Sequence, residues 1–269
     1  MSQAQTEQVA IYTMGKVAST TIAKSLQTHD IPCFDVHSLA PERYLALLRS
    51  IGTNTDFVQR APQRPRLFWR NREEGRKMVM PGHLVDSLWV MQALIERRPI
   101  KLISLIREPV GRNISAAFQN MPQRLQNDPK AIFERLRKYP VNVPDRWFDE
   151  DFRVVTGLDL MDMDHDRDAA HFRFQADNLD ILILKTASPD RVKSEILSDF
   201  LGQRIALTRA NEANSKWYYR TYREWLAAPS KIRQAYLAEC FALKYFRCFF
   251  SDEERQRVAE KFGYSGAIA

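Results

Sequence analysis

The sequence predicts an α/β protein in which a parallel sheet lies between helical layers and a helical region closes the C-terminal end. Three observations lead there. Short apolar runs of strand length alternate with segments whose apolar residues recur at helical spacing. Two of the resulting units, Val9 to Leu26 and Lys101 to Asn120, share one layout of apolar strand, polar turn and amphipathic helix. From about residue 209 to 269 the chain is dense in aromatics and helix-rich.

The first unit reads VAIYTMGKVASTTIAKSL. Val9, Ala10, Ile11 and Tyr12 form a buried strand, and Ile22, Ala23 and Leu26 mark one face of a helix, so the turn lies between strand and helix. The first N–H groups of a helix have no partner within it and the helix dipole is positive there, so a phosphate or sulfate satisfies both. Gly15 lets the chain turn and Ala18 keeps the approach open. Ser19, Thr20 and Thr21 add hydroxyl donors, and Lys16 brings a mobile positive charge. A loop for metal-bound triphosphate, G-x-x-x-x-G-K-[ST], has a magnesium-binding hydroxyl directly after the lysine. Here Val17 stands there and Ala10 replaces the first glycine, which disfavours that ligand. The plain alternative is a capped helix in which Ser19 or Thr20 serves only the backbone.

Next come a strand over Ile31 to Val36 and a helix over Pro41 to Ile51, opened by its proline. Gly52 to Arg76 reads as an inserted polar, basic surface loop with a short turn at Leu67 to Trp69. Lys77 to Met80 is a short strand running into Pro81, Gly82 and His83, followed by a helical face at Val85, Leu88, Trp89, Ala93 and Leu94. In an open α/β sheet the ligand crevice lies outside the carboxyl ends of the strands, so Lys16, His83 and Arg107 are expected on one rim. His83 there is either a base or a cap for the next helix.

The second unit, KLISLIREPVGRNISAAFQN, sets Arg107 at the end of the strand Leu102 to Ile106. Pro109 suits a first helical turn, and Ser115 lies eight residues after Arg107. A guanidinium donates two parallel hydrogen bonds to a phosphate. Arg112 is expected to pair with Glu108 or Asp128 and order the turn. Beyond it, Pro129 to Lys138 reads as a helix, and VNVPDRWFDEDF as part of an acceptor wall. The Asp-rich stretch Gly157 to Phe174 lacks the glycine and terminal glutamate of a calcium-binding loop, and His165 and His171 have no third ligand at recognisable spacing. Leu179 to Lys185, LDILILK, fits the sheet centre, and Asp190 to Leu201 an amphipathic helix. Trp217, Tyr218, Tyr222, Trp225, Tyr236, Phe241, Tyr245 and Phe249 are read as core.

Composition sets bounds. A chain of 269 residues, 45% hydrophobic, can bury one substantial core and is read as one elaborated domain over 1–269. A formal charge of +7 and a pI near 9.4 favour anionic partners, but the basic residues are dispersed, which argues against nucleic acid. Cys33, Cys240 and Cys248 have neither disulfide-framework nor zinc spacing, and a reducing cytoplasm fits. No leader-like segment or membrane-length apolar run is read, though peripheral membrane contact through the basic surface stays open. The oligomeric state is not legible.

The run Lys-x-small-[Ser/Thr]-[Ser/Thr] at 16–20 resembles the 5′-phosphosulfate loop of sulfotransferases that use 3′-phosphoadenosine 5′-phosphosulfate. Arg107 to Ser115 is similar to their R-[DE]-P-x-x-R-x-x-S segment, and SKWYYRTYREW with KYFRCFFSDEE resembles the bacterial capsular polysaccharide synthesis proteins placed among P-loop sulfotransferases. That resemblance implies a P-loop-type three-layer fold and sulfuryl transfer to a hydroxyl of a glycan or other small acceptor, without metal. It puts the 5′-phosphosulfate on Gly15, Lys16, Val17, Ala18, Ser19, Thr20 and Thr21, and the 3′-phosphate on Arg107 and Ser115. Lys16 would stabilise the leaving oxygen, and His83 resembles the strand-end histidine base of some glycan sulfotransferases. Two other readings share the loop: a nucleotide or small-molecule kinase, and a nucleotide-binding protein without chemistry.

Overall fold

The computed structural model describes residues 8–52, 67–70, 77–80, 82–119, 134–135, 137–208 and 231–268. Its elements in the first half are strand β1 (Gln8–Tyr12), helix α1 (Ser19–Thr28), strand β2 (Cys33–Val36), helix α2 (Pro41–Gly52), strands β3 (Leu67–Arg70) and β4 (Lys77–Met80), a helix Gly82–Ile95, strand β5 (Ile100–Ile106) and a helix Pro109–Gln119. The second half holds helical turns through 143–156, strands β6 (His171–Ala176) and β7 (Leu179–Lys185), and helices Asp190–Leu201, Lys231–Phe241, Lys244–Phe249 and Asp252–Phe262.

The main sheet has the order β2-β1-β5-β7-β6. Its first four strands run parallel, with Ala10 opposite Phe34 on one side and Leu102 on the other. β5 and β7 are nearly continuous apolar runs, as strands covered on both faces are, and all their residues except Lys101 and Asp180 are buried. β5, not β7, takes the middle position. The fifth strand corrects the expected all-parallel sheet: β6 pairs antiparallel with β7 through a two-residue turn in which Asp177 has φ 51°. The sequence hid it because an edge strand buries one face only, so Arg173 and Gln175 point to solvent between Phe172 and Phe174.

A second correction concerns 67–80. Leu67–Arg70 is a strand rather than a turn, and it forms with β4 a separate two-stranded antiparallel sheet. β4 is therefore no member of the parallel sheet, and His83 does not follow one of its strand ends. The helix expected over Pro129 to Lys138 is described only at 134–135 and 137–138, which are helical. The SKWYYRTYREW run lies outside the described residues.

The large aromatic residues of the segment VNVPDRWFDEDF belong to the core. Trp147, Phe148 and Phe152 are buried against Tyr12, Tyr245 and Phe249. The backbone widens to a π-type turn at Phe148–Phe152 and carries Asp151 inward. This carboxylate, fully buried, accepts from the Tyr12 and Ser38 hydroxyls and from the Leu39 and Ala40 N–H groups, and it lies 3.1 Å from Arg43 Nε. It thus satisfies the chain just before α2, where backbone donors would otherwise be orphaned. Tyr236, Phe241, Tyr245 and Phe249 are also buried, as the aromatic pattern predicts, while Trp217, Tyr218, Tyr222 and Trp225 lie outside the described residues. Among the described residues, no helix is long and apolar enough to cross a membrane.

Candidate functional site

The order of the parallel strands reverses at β1: its successor β2 lies on one side and β5 on the other. Loops leaving β1 and β5 therefore border the crevice where α/β sheets bind ligands. The β1 loop is residues 13–18. Gly15 (φ 77°), Lys16 (φ 63°) and Ala18 (φ 65°) are left-handed, a conformation that costs a side-chain-bearing residue energy and persists only where surroundings hold it.

Four consecutive carbonyls show what holds it. Arg112 donates to Met14 O (2.8 Å) and Gly15 O (3.3 Å) and Arg107 to Lys16 O (3.2 Å), while the Thr186 hydroxyl, whose nearer acceptor is Ile106 O (2.7 Å), lies 3.3 Å from Val17 O. In a trans peptide the N–H of one residue points opposite to the carbonyl of the residue before it. The N–H groups of Gly15, Lys16, Val17 and Ala18 are thereby turned away from Arg112, Arg107 and Thr186. Successive N–H groups in such a turn make a concavity for an anion. Ala18 is the residue that caps α1, and it supplies no side-chain bond, so the expected alternative of a hydroxyl cap at the first turn is not what is built. The Val17 side chain is fully buried, so the position after the lysine offers a ligand no side-chain group.

Arg112 is the main correction here. Its side chain does not pair with Glu108, and Asp128 lies outside the described residues; besides the loop carbonyls it contacts Asn113 Oδ1 (2.8 Å) and the Tyr139 hydroxyl (3.4 Å). Burial pushes its guanidinium pKa down, and the groups it bonds among the described residues are neutral. Glu108 instead caps the helix Pro109–Gln119 through the Gly111 N–H (2.7 Å) and lies 3.9 Å from Arg107 Nε. A Cβ at Gly111 would come within 2.3 Å of Glu108 Oε1 and 2.9 Å of Arg107 Nη2, so a larger residue there would push both side-chain ends aside. Arg107 keeps a third of its side chain exposed, within reach of a ligand. Ser115 is buried in the second turn of the same helix.

Arg107 is also fixed from a distance. The Tyr245 hydroxyl, buried on the helix Lys244–Phe249, accepts from Arg107 N (2.9 Å) and donates to Arg107 O (2.8 Å). Asp145 caps that helix through the N–H groups of Lys244 and Tyr245. The sequence marked Tyr245 only as core, since its aromatic spacing says nothing of where its hydroxyl points.

A second cluster lies beside the loop, at the end of β2. Asp35 bonds the Ser19 hydroxyl, and its own N–H donates to Asp86 Oδ2 (3.3 Å). Asp35 Oδ1 is buried and has no hydrogen-bond partner among the described residues. Burial raises the Asp35 pKa, against the opposing pull of His37 and Ser19. His37 and His83 pack ring to ring, with centroids 5.3 Å apart. So His83 does reach this rim, though by way of the helix Gly82–Ile95.

Burial, and then the neighbouring His37, lowers the His83 pKa to about 4. The unfolded chain, near 6.5, then binds a proton that the native state refuses between about pH 6.5 and 4. Stability contributed by a neutral His83 is present above pH 6.5 and is lost as pH falls towards 4, by up to about 3 kcal/mol. His83→Asn is expected to flatten this limb of a pH series of urea melts by about one proton. An unchanged slope would show that His83 titrates normally.

What fold and site define is a mixed α/β protein with a five-stranded, mostly parallel sheet and, at its switch point, a left-handed loop whose carbonyls are held by Arg112 and Arg107. Residues 127–251 match a family model described as "Putative capsular polysaccharide synthesis protein". The matched segment contains Asp145, Asp151, Thr186 and Tyr245, whereas the loop 13–18 and Arg107 lie before it. Neither the curated proteins nor the solved structures gave a match to this chain. Among the described residues, no group of three or more His, Cys, Asp or Glu side chains is placed to hold a metal ion.

Proposed function

We propose that this protein is a sulfotransferase that moves a sulfuryl group from 3′-phosphoadenosine 5′-phosphosulfate to a hydroxyl of a glycan or similar acceptor. The observation that carries the reading is the meeting of its two nucleotide-like motifs: Arg107 reaches the carbonyl of Lys16 from the neighbouring strand end, with its guanidinium still partly exposed. The loop N–H groups, with the Ser19 N–H and the Thr20 and Thr21 hydroxyls, would take the 5′-phosphosulfate, and Arg107 with Ser115 the 3′-phosphate. Lys16 would stabilise the charge that grows on the bridging oxygen as the bond to sulfur breaks. The description of the matching family supports a glycan acceptor.

In this reading Arg107→Ala weakens binding of adenosine 3′,5′-bisphosphate by tenfold or more, since the 3′-phosphate is held in ground state and transition state alike. Lys16→Ala instead slows transfer by about 10²-fold or more, as loss of a donor to developing charge does. Titration calorimetry with both variants tests the split, and an unchanged bisphosphate affinity in Arg107→Ala removes the clamp.

One observation favours a second reading, a P-loop kinase. A loop hydroxyl paired with a carboxylate is the arrangement that holds Mg²⁺ in phosphoryl transfer, and Ser19 with Asp35 forms such a pair. A magnesium requirement for nucleotide binding, abolished in Asp35→Asn, would select it.

A further inference from the structure

The acceptor must lose a proton, and the structure offers a group for this that the sequence did not single out. His37 follows β2 directly, on the same rim as the loop. Its Nδ1 lies 3.0 Å from Thr13 O and 3.4 Å from the Thr13 hydroxyl. A carbonyl only accepts, so Nδ1 is the nitrogen that carries hydrogen, and Nε2 of the neutral ring is left as a bare lone pair. The backbone of His37 is pinned as well, its carbonyl accepting from Trp147 Nε1 at 3.0 Å. The ring is half-buried, so its position is fixed without being sealed.

The neighbours fit a group that becomes charged during a reaction. Asp35, two residues earlier on the same side of β2, interacts electrostatically with His37 and holds Ser19 of the anion loop. Its Oδ1, which has no partner among the described residues, is a buried carboxylate oxygen that an imidazolium would relieve. His83 packs against the His37 ring as a neutral wall. A wall of that kind is a poor proton acceptor at neutral pH, because its protonated form is the one that burial penalises.

We propose that His37 Nε2 is the general base of this protein, with Thr13 O and Asp35 as its positioning partners and His83 as packing. The assignment rests on the sulfotransferase reading above. The acceptor oxygen bonds to sulfur while its proton passes to Nε2. The bond from sulfur to the 5′-phosphate oxygen breaks, adenosine 3′,5′-bisphosphate leaves with that electron pair, and the imidazolium returns its proton to solvent.

The test uses the full chain, ³⁵S-labelled 3′-phosphoadenosine 5′-phosphosulfate as donor and water as the probe acceptor, with labelled sulfate as the readout. His37→Asn keeps an N–H in the place of Nδ1 and removes Nε2. Expected are a transfer loss of about 10²- to 10⁴-fold, bisphosphate affinity within about twofold of wild type, and less than about tenfold loss of transfer in His83→Asn. In parallel, ¹⁵N spectra of the histidines in the wild-type chain are expected to show His37 as the Nδ1–H tautomer, a readout that needs neither turnover nor a folded variant. Wild-type transfer by His37→Asn, or an Nε2–H tautomer, overturns the assignment and leaves the donor site standing. A wild-type chain that does not bind the bisphosphate, or releases sulfate no faster than the donor alone, overturns the donor reading itself and the base with it.

Discussion

Asp151→Ala is expected to destabilise the protein by about 3–5 kcal/mol, the range for breaking a buried charged network. The carboxylate is fully buried and gathers two hydroxyls, two backbone N–H groups and Arg43. Removing it strands all of these donors at once and leaves a cavity beside Tyr12 and Phe152. Burial first, and then Asp151 itself, raise the Tyr12 pKa, so the tyrosine stays a donor throughout the physiological range. A chain of this size loses roughly 2–4 °C per kcal/mol, so a melting temperature about 10 °C lower should be seen. Asp151→Asn, which keeps an acceptor oxygen but sets an amide against some of the donors, should fall between the two. A shift of only a degree or two in Asp151→Ala would mean that water replaces the carboxylate without cost, and that the π-type turn does not tie α2 to the core.

Arg112→Ala is expected to strike stability and binding together. The side chain is 4% exposed and spends its donors on two successive loop carbonyls, Asn113 and Tyr139. Its loss leaves buried acceptors unpaired, which costs on the order of 2–4 kcal/mol. More telling is the loop. Left-handed Gly15, Lys16 and Ala18 persist because their neighbours' carbonyls are held, and without Arg112 two of the four N–H groups lose their orientation. Bisphosphate affinity should therefore fall at least tenfold, although Arg112 touches no ligand in this account. Arg112→Lys, with one ammonium where two carbonyls were matched by a planar fork, should recover part of the stability and little of the affinity. Equal affinity in the folded Arg112→Ala chain would show that the loop shapes itself.

Much of the fold was legible because it is written in apolar periodicity. The units around β1 and β5 each gave strand, turn and helix close to their observed bounds, since both strands are buried on two faces and both helices bury one. β6 was not, because its exposed side reads as polar chain. The pairing of β3 with β4 away from the main sheet also escaped, because a four-residue strand carries no mark of its partner.

At the site, the anion-binding residue types in the loop were legible and their support was not. Arg107 meets Lys16 and Thr186 meets Val17 through one contact each to a backbone atom, across 91 and 169 positions of sequence, and Arg112 and Tyr245 make two each across 97 to 138 positions. No spacing rule reports such a bond. His37 was missed for a related reason: its tautomer is set by the carbonyl of Thr13, 24 residues away. His83, by contrast, was visible from its Pro-Gly turn, but the burial that sets its proton affinity was not.

The central claim, that the loop and Arg107 together hold a 3′,5′-bisphosphorylated nucleotide, is tested most directly by the melting temperature of the full chain with adenosine 3′,5′-bisphosphate and with ATP plus Mg²⁺. A ligand that binds only the native state at 100 times its dissociation constant adds about 2.7 kcal/mol of stability. The account predicts the larger rise with the bisphosphate, unchanged when Mg²⁺ is chelated. An equal or larger rise with ATP and Mg²⁺, or a bisphosphate effect that vanishes without the metal, would contradict it.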